Sequence, residues 1–216
     1  MNRISVKHIA ASAVPAENVR ALFCEENVPE HSVGIANWDS EFPYRPQTQV
    51  SIAYTDQAIL VLYKVKENCI RAVTPHDNGH VWEDSCCEFF VQPADDDTYY
   101  NIECNCAGTL LVGFGKDRYK RELAPKSVLE QVRRWSSLGR TPFDSLNGNF
   151  EWELALAIPF TTFFKHTVCS LGGKVMKANF YKCGDKTTTP HFLSWCPIKV
   201  PHPDFHCPDY FGELTF

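Results

Sequence analysis

The fold of this chain is decided by residues 80–93, which read HVWEDSCCEFFVQP. After a polar turn that carries Trp82, the segment is almost continuously apolar and predicts a buried strand. Because side chains alternate across a sheet, Glu88 shares a strand face with Cys86 and Phe90. An ionised carboxylate on such a face is costly unless a partner or water reaches it. The stretch therefore predicts a partly open sheet face or a cleft, with Trp82 at its mouth.

A flat indole beside a shielded hydrogen-bond acceptor suits a polar ligand that has apolar ring faces, and a sugar is the commonest such ligand. The stretch alone also allows a structural interpretation. In that interpretation Trp82 covers the end of a sandwich core and Glu88 pairs with one lysine or arginine.

Composition favours an all-β protein. Aromatic residues make up 13% of the 216 residues, and runs of strong helix formers are short. We predict an antiparallel β-sandwich, jelly-roll-like, with one N-terminal helix and short helical excursions. One domain over residues 1–216 is the simplest organisation, with residues 1–36 as an N-terminal extension packed on it.

The charge pattern and the cysteines limit the functional classes. A net charge of −5 without a basic block argues against nucleic acid as a partner, and no apolar run approaches transmembrane length. The ten cysteines include the adjacent pair Cys86 and Cys87, which point to opposite faces, so they are typical of free buried thiols rather than of a disulfide framework. Since no signal peptide is visible either, we expect a cytoplasmic location.

Several further elements follow from periodicity. A proline-first helix is predicted over 15–26, and consecutive strands over 48–55, 58–67 and 68–74. Strands are also predicted over 150–158 and 175–183.

The strand predicted over 98–105 carries Asn101 and Glu103 on a polar face, and the strand over 175–183 places Asn179 and Tyr181 on one side. If these faces join that of Glu88, the sheet presents a row of hydrogen-bonding groups beside Trp82. The charged region 116–134 is interpreted as a solvated excursion without a functional role.

The end of the chain carries a second aromatic segment. Residues 191–197 read HFLSWCP and contain Trp195, and the proline-rich stretch 201–214 contains His202 and Phe205. Prolines reduce the conformational freedom that a loop loses when it holds a ligand, so this stretch predicts a stiff aromatic arm.

These motifs together resemble a known family. The Trp82 turn leading to Glu88, the late Ser194-Trp195, the aromatic Phe205 and the closing FGEL resemble the family 9 carbohydrate-binding modules. The stretch 178–185, ANFYKCGD, and the 203–214 run are more similar still to stand-alone bacterial carbohydrate-binding family 9-like proteins. The resemblance covers roughly residues 37–216.

The resemblance implies a β-sandwich that binds a mono- or oligosaccharide without catalysis. Trp82 then corresponds to the first ring of an aromatic clamp, Phe205 stands where the second clamp tryptophan is, and Glu88 corresponds to the glutamate that binds hydroxyls. Tyr181 falls where the family has a polar side chain, and His202 lies near another polar contact. Trp195 is either a site wall or part of the core.

The resemblance also bears on cofactors and partners. We expect no cofactor, although family members can carry structural calcium, whose ligands the sequence does not identify. Modules of this family usually accompany polysaccharide hydrolases, so support of carbohydrate catabolism would involve glycoside hydrolases acting in trans.

Three alternatives remain open from the sequence. Glu88 and Glu103 are candidates for the acid and base of an O-glycosyl hydrolase, which would need a carboxyl separation of about 5 to 10 Å. A zinc site is a second alternative, although its potential ligands lack regular spacing and are more typical of packing or surface residues. These potential ligands are His191, Cys196, His202, His206 and Cys207. The third alternative is a protein-interaction sandwich that has lost sugar binding.

Overall fold

The computed structural model describes residues 2–11 and 13–216 as two facing β-sheets with short helices at their edges. The strands are β1 (Arg3–Ser5), β2 (Lys7–His8), β3 (His31–Ser32), β4 (Ile35–Ala36), β5 (Gln47–Tyr54), β6 (Ala58–Ala72), β7 (Cys86–Gln92), β8 (Tyr99–Asn105), β9 (Leu110–Gly115), β10 (Glu122–Leu123), β11 (Arg133–Ser136), β12 (Phe143–Pro159), β13 (Val175–Cys183), β14 (Phe192–Ser194) and β15 (Gly212–Thr215). The α-helices are α1 (Val19–Glu25) and α2 (Lys126–Leu129), and single 3₁₀ turns span Ala16–Asn18, Val81–Glu83, Phe160–Thr162 and Pro208–Tyr210.

The first sheet has the strand order β1-β15-β13-β7-β8-β9-β10, with β14 and β4 attached beside β13. Its central strands are antiparallel, and their register places Glu88 opposite both Tyr181 of β13 and Glu103 of β8. Directly opposed residues point to the same side of a sheet. The polar faces of β7 and β8 therefore coincide, as the alternation predicts.

The second sheet has the order β11-β12-β6-β5-β2, with β3 beside β5. Its long strands β6 and β12 exceed the predicted lengths. The separate strand expected over 68–74 is a continuation of β6, and the strand expected over 150–158 is the second half of β12. Both sheets are mixed because the short N-terminal strands β1 and β2 pair in parallel with β15 and β5.

The main core lies between the sheets, where Cys87 and Phe89 of β7 meet Tyr63 of β6 and Trp152 of β12. The opposite face of β7 packs under loops, in a second aromatic cluster that includes Tyr181 and Phe205. The first sheet thus has one face in the sandwich and one face beneath a loop layer. The predicted all-β sandwich with one N-terminal helix is confirmed.

Helix α1 packs on the outer face of the second sheet, where Val19 and Phe23 contact the apolar cluster formed by Leu60, Leu62 and Ala155. The predicted helix is present, preceded by a 3₁₀ turn. In the described part of the chain, no helix is long and apolar enough to cross a membrane. All ten cysteines are free, and only Cys24 and Cys169 are exposed.

Candidate functional site

A pocket of about 360 Å³ lies on the outer face of the first sheet. Its floor is formed by Glu88 of β7, Glu103 of β8 and Cys183 of β13, which point to the same side of the sheet. Its walls come from the Trp82 turn, the segment 118–123 and the loop 203–206. The other lining residues are Asn78, His80, Phe90, Asn101, Leu111, Asp185 and Phe192.

Two carboxyl groups dominate the floor. Glu88 and Glu103 are 2% and 3% exposed, and among the described residues neither forms an ion pair with a lysine, arginine or histidine. Asn101 Nδ2 donates to Glu103 Oε1 at 2.7 Å, whereas Glu103 Oε2 is buried and has no hydrogen-bond partner within the described part of the chain. The pocket therefore offers a ligand at least one hydrogen-bonding oxygen that the protein does not use.

Burial raises the pKa of both floor acids. For Glu88 the loss of solvation is the larger cause and the neighbouring Glu103 carboxyl the second. Burial also raises the pKa of Glu103 to about 7, although the hydrogen bond from Asn101 and the positive charge of Arg121 both lower this pKa. At the pocket edge, burial raises the pKa of Asp185 to about 6. Near neutral pH the floor can thus both donate and accept hydrogen bonds.

Arg121 holds one wall in place. Its Nε donates to Asn101 Oδ1 at 2.7 Å and its Nη2 donates to the Tyr99 carbonyl at 2.9 Å. The guanidinium carbon lies 4.3 Å from the centroid of the Tyr99 ring, which is a cation–π contact. This rigid arrangement fixes Asn101, and through it Glu103. Among the described residues Arg121 donates no hydrogen bond to the floor acids themselves, and Glu103 Oε2 stays free for a ligand.

Gly113 of β9 makes room for this wall. A Cβ atom at that position would lie only 2.4 Å from Asn101 Oδ1 and 3.2 Å from Arg121 Nε. Any side chain there would displace the amide that connects the arginine to Glu103.

Two aromatic rings that are distant in the sequence line the pocket. Trp82 stands on the Val81–Glu83 turn and stacks on His80, with centroids 4.6 Å apart and an interplanar angle of 28°. Phe205 stacks on Tyr181 at 4.1 Å and 8°. In each stack one face of the pocket ring is covered by the protein, so the ring orientation is fixed before a ligand arrives. Phe205 is the more deeply placed ring, at 8% exposure.

The sequence profile of carbohydrate-binding family 9 matches residues 17–216. This chain belongs to carbohydrate-binding family 9. The resemblance inferred from the sequence motifs is thereby confirmed, and the match begins some twenty residues earlier than those motifs indicated.

Solved structures agree with family 9 membership. A candidate carbohydrate-binding protein from Bacteroides uniformis ATCC 8492 is 49% identical, with a TM-score of 0.96 over 99% of this chain and 98% of that one. A family 9 module from Caldicellulosiruptor kristjanssonii in complex with glucose is 14% identical, with a TM-score of 0.62 over 99% of this chain and 95% of that one. A family 9 module from the same organism in complex with cellotriose is 14% identical, with a TM-score of 0.62 over 99% of this chain and 93% of that one. No curated protein matches the chain.

Five of the residues predicted for the family 9 site line the one pocket. These are Trp82, Glu88, Asn101, Glu103 and Phe205. Their side chains come from two adjacent strands and two loops, so face alternation placed the polar ones and the motif resemblance placed the aromatic ones.

The structure does not bring the other four predicted residues into the pocket lining among the residues that it describes. Tyr181 lies beneath Phe205 and donates its hydroxyl to the Phe205 carbonyl at 3.1 Å, so it supports the aromatic wall. The side-chain amide of Asn179 forms hydrogen bonds with the backbone of Cys196. Its Oδ1 accepts from the Cys196 N–H at 2.9 Å, and its Nδ2 donates to the Cys196 carbonyl at 3.3 Å. Trp195 packs in the main core, and His202 is exposed on its loop.

Sequence reasoning missed two arginines of the pocket lining, Arg118 and Arg121, which lie in the charged region. Much of 116–134 is exposed, as a solvated excursion predicts, but Arg118 and Arg121 also line the pocket. No local sequence pattern predicts that Arg121 contacts β8, because these contacts depend on how segment 116–123 folds back onto that strand. Asp185 could have been predicted from the sequence, since it is the last residue of the 178–185 motif.

The histidines and cysteines considered for zinc do not group together within the described residues. His191 is buried, with its Nε2 2.7 Å from Lys182 Nζ, and Cys196 packs in the main core. His206 bonds through Nδ1 to the Tyr99 hydroxyl at 2.8 Å, and burial with two nearby arginines lowers its pKa to about 3.

Proposed function

We propose that this chain binds a carbohydrate without catalysis, with a sugar ring between Trp82 and Phe205 and with Glu88 bonding its hydroxyls. The observation that carries the proposal is that two aromatic rings distant in sequence line one pocket whose floor is acidic. Flat rings suit the apolar C–H faces of a pyranose, and carboxyl and amide groups suit its hydroxyls. Family 9 membership supports the same ligand class.

The polar complement of the pocket fits a neutral sugar. Glu88, Glu103 and Asp185 supply acceptors, while Arg118 and Arg121 supply donors from the opposite wall. Since both charge signs are present, hydroxyl groups find both kinds of partner without a charged ligand. A volume of about 360 Å³ is at the small end of ligand pockets, which favours a monosaccharide or the end of an oligosaccharide. The glucose and cellotriose bound by the family 9 relative make gluco-configured sugars the first to test.

Hydrolysis is the weaker alternative. Glu88 and Glu103 are directly opposed on neighbouring strands, which puts both carboxyl groups on one floor. Glycosidases place the two carboxyl groups on either side of the scissile bond. A protein-interaction role is also weaker, because the aromatic rings line a concave pocket rather than a flat exposed patch.

Cellular context forms the remaining part of the proposal. With seven buried free thiols, the chain suits a reducing compartment, and any role in carbohydrate catabolism would be exercised alongside separate glycoside hydrolases.

Isothermal titration calorimetry against glucose, cellobiose, cellotriose, galactose and xylose tests the proposal. We expect at least one ligand to bind with a dissociation constant between about millimolar and micromolar, as a small stacked site predicts. Trp82→Ala should weaken binding at least about tenfold, through the loss of one stacking face. Trp135→Ala is the matched control, since Trp135 is half-buried on the second sheet and lies outside this pocket. Equal affinity of Trp82→Ala and the parent protein would overturn the proposal.

A second measurement addresses the enzyme alternative. Incubation with cello-oligosaccharides, followed by an assay for new reducing ends, should show no turnover above that of heat-treated protein. Turnover that Glu88→Gln abolishes would replace the binding proposal with hydrolysis.

A further inference from the structure

Three potential metal ligands meet beneath the pocket floor. Cys86 and Glu88 lie two residues apart on β7 and point to the same side, and Cys183 of β13 is the register partner of Cys86. One ligand atom from each of the three residues lies within 4.8 Å of the other two. All three residues are at most 2% exposed, and Glu88 and Cys183 also line the pocket.

These spacings can be compared with those of a tetrahedral zinc site. With Zn–S and Zn–O bonds of about 2.3 and 2.1 Å, tetrahedral ligands stand about 3.8 Å apart for S and S and about 3.6 Å apart for S and O. Cys183 Sγ is 3.0 Å from Glu88 Oε1. The carboxylate would therefore move outward by about half an ångström, toward the pocket into which it already projects.

A bound cation would also supply the positive charge that the acidic floor lacks. Glu103 Oε2, buried and without a hydrogen-bond partner in the described part of the chain, belongs to the same acidic floor. On binding a divalent cation, any proton carried by a ligand atom would leave to solvent, without any change of oxidation state.

We propose that Cys86, Glu88 and Cys183 bind a thiophilic divalent cation, for which Zn²⁺ is the best fit, with a fourth coordination position open toward the pocket. Three protein ligands and one open position are typical of zinc sites that receive an exogenous ligand. Since Glu88 would be shared between the cation and the sugar, the two ligands compete for it. The metal proposal itself does not depend on sugar binding.

The test uses full-length, fully reduced protein that carries Cys24→Ser and Cys169→Ser, which remove the two exposed thiols. Titration with Co²⁺ should give thiolate-to-metal charge-transfer absorption that saturates at one equivalent, and Zn²⁺ should displace it. Cys86→Ser and Cys183→Ser should each weaken binding by more than about a hundredfold. Cys87→Ser is the matched control and should bind like the parent, because Cys87 is equally buried but faces the main core.

Saturable binding that persists in the Cys86→Ser/Cys183→Ser double variant would overturn the proposal, and so would no binding by the parent. If the variants fail to fold, X-ray absorption of the Zn²⁺-loaded parent decides the question. Two sulfur neighbours at about 2.3 Å with oxygen at about 2.0–2.2 Å are expected, whereas a shell without sulfur refutes the site. Because both readouts report on the metal alone, failure here leaves sugar binding to be judged by its own titration.

Discussion

Glu67 and Glu88 are both buried carboxyl groups, on opposite sides of the first sheet, yet their surroundings differ completely. Glu67 of β6 faces the sandwich interior and meets Lys182 Nζ of β13 at 2.9 Å, and its other oxygen accepts from Trp152 Nε1 at 2.7 Å. Glu88 faces the pocket, and its closest polar side-chain contact is the thiol of Cys183. Glu67 is paired with a lysine of the protein, whereas Glu88 forms no ion pair within the described residues.

The cations explain the difference. Burial by itself lowers the pKa of Lys182, but the Glu67 carboxylate outweighs this and holds the pKa above its ordinary value. Lys182 is fully buried, and its Nζ also approaches His191 Nε2 at 2.7 Å, a contact that lowers the pKa of that histidine together with its burial. An acid with its cation inside the sandwich is a structural link between the sheets, whereas an acid without one beside a pocket is a binding group.

The largest expected effect comes from removing that cation. Lys182→Met keeps the length of the side chain but leaves Glu67 charged and unpaired in the core, so it should lower the free energy of unfolding by about 3–5 kcal/mol. Urea denaturation at neutral pH measures this. The double variant Glu67→Gln/Lys182→Met should recover part of the loss, because it leaves no isolated charge. A loss below about 1 kcal/mol in Lys182→Met would mean that Glu67 is not held by this pair.

The pH dependence of stability should come from the pocket acids instead. The pKa of Glu103 is about 7 in the folded protein, well above the ordinary value near 4.5. The folded state therefore binds more protons between these values, so the contribution of Glu103 to stability is fully present below about pH 4.5 and is lost as the pH rises through about 7. Glu103→Gln should reduce this fall by about 3 kcal/mol.

The measurement is urea denaturation at pH 5 and pH 8. Glu151→Gln is the control, because Glu151 is exposed and should leave the pH profile unchanged. A Glu103→Gln variant with the parent's profile would show that Glu103 is charged at the same pH in the folded and unfolded chains.

Sequence reasoning reached the pocket acids more easily than the buried pair. Alternation along one strand places Glu88 and Glu103 on a common face, because the period of two is a local property. The Lys182–Glu67 pair requires the register of two strands in different sheets, which no local pattern contains. Arg121 was missed because its contacts also depend on tertiary structure. Alternation placed Asn179 on the correct face of its strand, but it could not show that the Cys196 backbone forms hydrogen bonds with the Asn179 amide.

A smaller effect is expected for sugar affinity. Glu88→Gln keeps the shape of the side chain but replaces a carboxyl oxygen that can donate or accept with an amide NH₂ that only donates, so it should weaken sugar binding about tenfold, or ~1.4 kcal/mol. Glu151→Gln is the matched control, since Glu151 is exposed, pairs with Lys66 and does not line this pocket. Calorimetry with the tightest sugar of the panel measures both. Unchanged affinity in Glu88→Gln would assign hydroxyl recognition to Glu103 or Asp185.

The smallest effect should come from the residue next to Glu67 in the chain. Lys66 Nζ is 2.7 Å from Glu151 Oε1, a shorter distance than in the buried pair, but the two side chains are 58% and 70% exposed. Water already solvates both charges, so Lys66→Ala should change the free energy of unfolding by less than about 0.5 kcal/mol. Urea denaturation alongside Lys182→Met compares the two pairs directly. Burial, not the distance between charges, then decides which pair stabilises the fold, and a loss for Lys66→Ala as large as that for Lys182→Met would contradict this account.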